Sequence, residues 1–251
     1  MHTAMLTAAP TASRAAAPRP SAPGAQVNAS LHLLSDAVAM QRRLVHAGDR
    51  LFESGQDFDC LHILHAGFFK TVNTAADGRE QVVGLHFKGD WMGFDGIAHG
   101  RYGCDAIAMD TGEVWSVRYD ALLAASSGRR ELLGLLHEAM SREISRDRDS
   151  LLSLGTLPAD ARVADFLRYW ADALDQRGLR ADQITLRMTR AEIGNYLGMT
   201  LESVSRALSR LARCEVIRFI GKGRRELNIP DLEALSRFIQ AAMAPQPRVL
   251  Q

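Results

Sequence analysis

Cysteine is scarce in this sequence. Cys60, Cys104 and Cys214 are the only three in 251 residues. Their wide spacing fits neither a disulfide framework nor a CxxC-type metal site, and it suits a reducing compartment. No stretch approaches the roughly 18 apolar residues that a membrane span requires. Net charge is also lacking: 30 Lys+Arg against 29 Asp+Glu leave +1, so whole-chain charge names no partner. There is no His-x-His, no Ser/His/Asp arrangement and no glycine-rich phosphate loop. A cupin-type metalloenzyme, the rival from another class, would need such a metal set. The chain is therefore expected not to be an enzyme, with no catalytic residue and no metal. What remains is ordinary globular composition, 47% hydrophobic and 24% charged, long enough for two domains.

Residues 1–30 contain ten alanines and four prolines, and no acid precedes Asp36. Too little apolar surface is present to offset ordering entropy, which predicts a disordered Ala/Pro-rich arm. A transit peptide is the other reading open for an acid-free, Ala/Ser/Arg-rich start. A secretory signal is disfavoured because Pro10, Arg14, Pro18 and Arg19 interrupt the alanine run. From Gln41 to about Asp120, short apolar runs such as Leu61–Leu64, Phe68–Val72, Gln81–Leu85 and Glu113–Val117 alternate with glycine turns. That texture predicts a β-roll or jelly roll over 31–128.

Residues 129–157 change to a helical period. Leu133, Leu136, Met140, Ile144, Asp147, Leu151 and Leu154 recur at spacings close to the 3.5 of a coiled-coil seam, which predicts a dimerisation helix. Packing of the stripe on its own β-roll is the competing reading. Asp147 in such a seam would meet its symmetry mate and weaken the dimer, unless it tilts out to solvent.

An α-rich domain is expected over 158–251. Thr189 and Glu192 form a capping box before Ile193, Tyr196 and Leu197. Gly198-Met199-Thr200 makes a tight turn, and a second helix runs from Leu201 to about Arg213. Val204, Leu208 and Leu211 form its apolar face, while Glu202, Ser205, Arg206, Ser209 and Arg210 form the other. This is a helix-turn-helix pattern. A hairpin follows, Val216–Ile220 and Glu226–Ile229 about a basic Gly221–Arg225 turn, and would be its wing. Residues 187–225 hold nine Lys/Arg and three acids, hence +6, leaving −5 for the rest. Positive charge is concentrated where DNA phosphates would lie.

Met188–Gly198 followed by Leu201-Glu202-Ser203-Val204-Ser205-Arg206, together with Gly89–Asp95 in the roll, resembles the bacterial cyclic-AMP receptor protein/fumarate-nitrate reduction regulator (CRP/FNR) family, nearest its FNR branch. The resemblance covers about residues 41–240. It implies an α+β architecture of N-terminal β-roll, long dimerisation helix and C-terminal winged helix-turn-helix. It also implies a cytoplasmic homodimer that regulates transcription, as an activator touching RNA polymerase through exposed roll loops. Asp77–Glu80 and Lys88–Asp90 are the expected loops. By the branch's Glu-x-x-Ser-Arg motif, Glu202, Ser205 and Arg206 would read bases in a TTGAT-N4-ATCAA palindrome. A carboxylate accepts from cytosine N4 and an arginine forks onto guanine. Thr189, Arg190, Thr200, Arg210, Lys222 and Arg224 are the expected backbone contacts.

The resemblance also frames the sensor. The branch's iron–sulfur cluster needs four thiolates, and here the arm has none, while Trp115 stands where the roll cysteine aligns. No cluster is expected. Cyclic AMP is disfavoured, because Gly93-Phe94-Asp95 and Cys104-Asp105 replace the Gly-Glu-Leu cassette and its Arg-Ser pair, with Arg101 as a displaced alternative clamp. Haem stays open through His62, His65, His86 and His99, although His62 and His65 fall on opposite strand faces. So does a response to haem-bound nitric oxide or to a nucleotide. Cys214, beside Arg213, is the candidate redox thiol, an inert cysteine being the alternative.

Overall fold

The computed structural model describes residues 30–221 and 223–244, so residues 1–29 of the expected disordered arm and Lys222 lie outside the described residues, while Ser30 is helical. A short helix, α1, covers residues 30–35. Eight strands then build two antiparallel sheets: β1 (Met40–Val45), β2 (Arg50–Phe52), β3 (Cys60–Ala66), β4 (Phe69–Thr74), β5 (Glu80–His86), β6 (Trp91–Met92), β7 (Asp105–Ala108) and β8 (Gly112–Arg118). A one-turn helix, α2 (Gly96–His99), interrupts them. The strand orders are β1-β8-β3-β6 and β2-β7-β4-β5.

Alternation along these strands divides the roll into three apolar layers. Val45, Leu64, Met92 and Val114 of the first sheet meet Phe52, Phe69, Ala106 and Ala108 of the second in the interior. The opposite face of the first sheet, with Leu61, Ile63, Trp91, Trp115 and Val117, packs under Leu31, Leu34 and Val38 and under two helices. These are α3 (Tyr119–Ser126) and the 27-residue α4 (Arg130–Thr156).

The long helix has nearly the predicted bounds, but its stripes divide. Leu132, Leu136 and Ala139 are buried in the protomer's own roll. Leu136, assigned by spacing to a dimer seam, therefore belongs to the intramolecular face, and Met140 is partly drawn there too. A 3.5-residue repeat does not distinguish two neighbouring stripes on one helix. Leu133, Ile144, Leu151 and Leu154 are exposed, and Asp147 lies among them.

Beyond Pro158 come α5 (Ala159–Asp175), β9 (Gln183–Thr185), α6 (Arg190–Tyr196), α7 (Leu201–Arg213), β10 (Arg218–Ile220), β11 (Glu226–Asn228) and α8 (Leu232–Met243). The hairpin is one strand larger than its sequence suggests, because β9 adds to β11. Val72, Val82, Leu85 and Phe87 of the roll share one core with Val163, Phe166, Leu167, Trp170, Ile193 and Leu208 of the helices. The helix-turn-helix is thus packed on the roll's second sheet.

Asp90 fastens this junction. It is buried, and its carboxylate accepts from Arg146 of α4 and from Arg177 beyond α5, both at 2.7 Å, and from the Phe87 N–H at 2.9 Å. Burial alone would raise its pKa, but the two guanidiniums outweigh it and hold the carboxyl below its usual range. The expectation that Lys88–Asp90 is an exposed contact loop fails at Asp90, whose charge is consumed internally. Asp77–Glu80, at the β4–β5 turn, is exposed.

Candidate nucleic-acid interface

The capping box forms as expected. Thr189 Oγ1 accepts from the Glu192 N–H at 3.2 Å, and Glu192 Oε2 accepts from the Thr189 N–H at 2.7 Å. The turn that follows depends on two glycines. Gly198 has φ +62, a left-handed conformation costly for residues with a Cβ. At Gly194 a Cβ would stand 2.6 Å from the Met199 carbonyl oxygen, so only glycine lets the two helices approach this closely. Thr200 then caps α7, accepting from the Ser203 N–H. The hydroxyls of Thr189 and Thr200, both expected at phosphates, are thus engaged at helix starts, donating to Glu192 and Ser203 respectively.

Val204, Ala207, Leu208 and Leu211 bury one face of α7. Glu202 and Arg206 are exposed on the other, with Ser205 half-buried. The backbone N–H of Glu202, the Thr200 side chain and Arg206 keep the Glu202 carboxyl below its ordinary pKa, so it is an acceptor at neutral pH. The Arg206 guanidinium donates to Ser203 Oγ at 3.2 Å. Ser205, Arg206, Ser209, Arg210, Arg213 and Arg224 line an open groove of about 910 Å³. Arg210, an expected backbone contact, is engaged by Asp160 at 2.6 Å. Arg190 and Arg224 both lie over the Phe219 ring.

Sequence reasoning missed how α6 meets the roll. Asn195 donates to the Glu80 carbonyl at 2.6 Å and accepts from the Val82 N–H at 2.5 Å, capping the free edge of β5. Its own carbonyl accepts from Gln81, and Lys70 of β4 pairs with Glu192. Lone polar residues carry no periodic signal, so only the chain's folding reveals them as partners.

With this geometry in place, the relatives are informative. Residues 42–128 match the cyclic nucleotide-binding domain family and residues 161–238 the Crp-like helix-turn-helix domain family. The fumarate and nitrate reduction regulatory protein of Yersinia pestis is 32% identical over 214 residues, 85% of this chain and 83% of that protein. Electron transport regulator A of Shewanella oneidensis is 33% identical over 74% of this chain and 75% of its own. The structure of FixK2 from Bradyrhizobium japonicum superposes with a TM-score of 0.72 at 25% identity, covering 84% of this chain and all of that one. The chain belongs to the CRP/FNR family. It is a DNA-binding transcription regulator of that type, and the family consists of regulators rather than enzymes.

The cofactor of the FNR branch does not fit the residues present. Three cysteines cannot supply four thiolates. Burial pushes the Cys60 thiol up to about 11 and raises that of Cys104 further, disfavouring thiolates. Trp115 is buried in the same apolar cluster as Leu31, Leu34 and Val38, with His65 stacked on its ring at 4.7 Å and the Arg42 guanidinium at 4.3 Å. The cyclic-nucleotide cassette is likewise taken up internally. Asp95 accepts from the Gly103 N–H, Asp105 pairs with Arg50, and Arg101 turns out to Asp57. His62 uses both ring nitrogens on Ser116 and Tyr102, His86 is buried against Thr71, and burial lowers both pKa values to about 4. His99 is exposed at the end of α2. Cys214 is exposed just past α7.

Proposed function

We propose that this CRP/FNR regulator acts as a cytoplasmic homodimer that binds a TTGAT-N4-ATCAA palindrome and activates transcription without an iron–sulfur cluster. The observation that carries the reading is the exposed face of α7, where Glu202, Ser205 and Arg206 share the first two turns above a buried apolar stripe. Glu202 and Arg206 offer the acceptor and the forked donor that cytosine and guanine edges require. Arg190, Lys222 and Arg224 contribute backbone contacts, and Arg210 joins them by exchanging Asp160 for phosphate. The domains run as 31–128 for the roll, 129–157 for the dimerisation helix and 158–251 for the DNA-binding part. The exposed stripe Leu133, Ile144, Asp147, Leu151 and Leu154 faces the second copy, and the Asp77–Glu80 turn faces RNA polymerase. No described helix is long and apolar enough to cross a membrane. The buried Trp115 ring supports a roll held together by packing rather than by a cluster.

Fluorescence anisotropy with the palindromic duplex and a scrambled one, using protein purified in air without added ligand, tests this at physiological salt. Selective binding under those conditions is expected. Equal binding of both duplexes, or selectivity that appears only with haem or a nucleotide, would overturn it.

A further inference from the structure

The wing carries an aromatic ring that a purely electrostatic contact does not require. Phe219 lies on β10, half-buried against the helical core. The guanidinium carbon of Arg224 sits 4.5 Å from its ring centroid and that of Arg190 sits 5.7 Å away. Arg190 comes from the start of α6 and Arg224 from the far side of the wing turn, so one ring gathers cations 34 residues apart. Arg190 also donates to the Arg224 carbonyl at 2.9 Å. Arg224 has φ +50, a left-handed backbone that non-glycine residues seldom adopt, and is held so within a glycine-flanked turn.

Neither guanidinium has a carboxylate within ion-pair reach among the described residues, unlike Arg210 with Asp160 or Arg187 with Asp110. Two cations are therefore held together with no internal counter-charge. Burial and the neighbouring Arg224 lower the pKa of Arg190, which is the signature of that crowding. Arg224 also lines the groove beside Arg206 and Arg213, placing the pair at the rim of the DNA-facing surface.

We propose that Phe219 is a positioning residue that holds Arg190 and Arg224 as a preformed clamp for the DNA backbone. It touches no base and no phosphate. Its ring fixes two long side chains, so that less of their rotamer freedom is lost when phosphate arrives. The inference rests on reading those two arginines as phosphate contacts.

The test is a salt series of anisotropy titrations on specific and scrambled duplexes, with Phe219→Leu, Phe219→Met, Phe219→Tyr, the Arg190→Ala/Arg224→Ala double variant and the combined triple variant with Phe219→Leu. Thermal melts and circular dichroism establish which are folded. Phe219→Leu is expected to weaken both duplexes equally, by about five- to tenfold, as ordering two freed arginine side chains on binding implies. It should also flatten the salt slope, and Phe219→Tyr should restore both. In the arginine-free background Phe219→Leu should cost nothing further. Phe219→Met takes its place if the leucine variant is unfolded. A folded, ring-free variant with wild-type affinity and salt slope overturns the proposal, as does an undiminished loss in the arginine-free background. If instead the double variant binds like wild type, the phosphate reading of the arginines falls first.

Discussion

Arg206 is exposed at the second turn of α7, and its removal is expected to cost about 1–3 kcal/mol of specific binding. The loss should fall on one base pair per half-site. A binding-site selection showing an unchanged preference would refute base reading by Arg206. Asp90 is the opposite case. Asp90→Asn leaves Arg146 and Arg177 at a buried junction without their shared anion. A destabilisation of about 3–5 kcal/mol is expected in urea denaturation, because an uncompensated buried charge costs more than a pair contributes. An unchanged midpoint would show that the junction is held by packing alone. Lys88-Gly89-Asp90 predicts an exposed loop, since nothing local distinguishes an exposed turn aspartate from one met by two distant arginines.

At the scale of the element, α4 carries the clearest division of labour. Leu132 is fully buried in the roll, whereas Leu151, farther along the same helix, is 69% exposed. Leu132→Ala should therefore lower protomer stability by about 2–5 kcal/mol with little effect on self-association. Leu151→Glu should leave the fold intact and shift the protein toward monomer in light scattering. If the glutamate variant stays dimeric, the seam lies elsewhere on the helix. Asp147 shares this exposed stripe, and desolvation raises its carboxyl pKa while Arg146 opposes the shift. The periodicity of α4, the capping box of α6 and the amphipathic α7 were legible because each repeats a local rule along consecutive turns. Strands β1, β2, β6, β7 and β9 were not singled out. They are short or polar on one face, and their existence depends on the partner strand that each pairs with.

Over the whole molecule, buried groups of the roll and the long helix titrate in opposite directions. Burial pushes the Glu143 carboxyl of α4 up to about 7, with Asp147, Asp95 and Asp90 adding to the shift and Arg146 opposing it. Its charged form is disfavoured in the fold, so stability should fall as pH rises from about 4.5 through 7. His62 and His86, lowered to about 4, act the other way, since the unfolded chain binds their protons first as pH drops below about 6.5. Glu143→Gln should remove the fall on the alkaline side and leave the acid-side loss in place. Identical stability profiles for the variant and wild type across pH 5–8 would refute that role. The Asn195 contacts with β5 carry a second expectation. Asn195→Ala should speed hydrogen exchange at Val82 and in α6 while sparing the roll interior, and uniform protection would argue against a clasp.

The order of the parts, the helix-turn-helix and the outward face of α7 all follow from local pattern in the chain. These rest on neighbours within a few residues, where spacing and capping chemistry act directly. Folding alone settles which stripe of α4 the roll consumes, that Asp90 ties three elements together, and that Phe219 collects Arg190 and Arg224. Those are contacts across dozens of residues, set by how amphipathic surfaces exclude water together, and a linear pattern holds no record of which surfaces will meet.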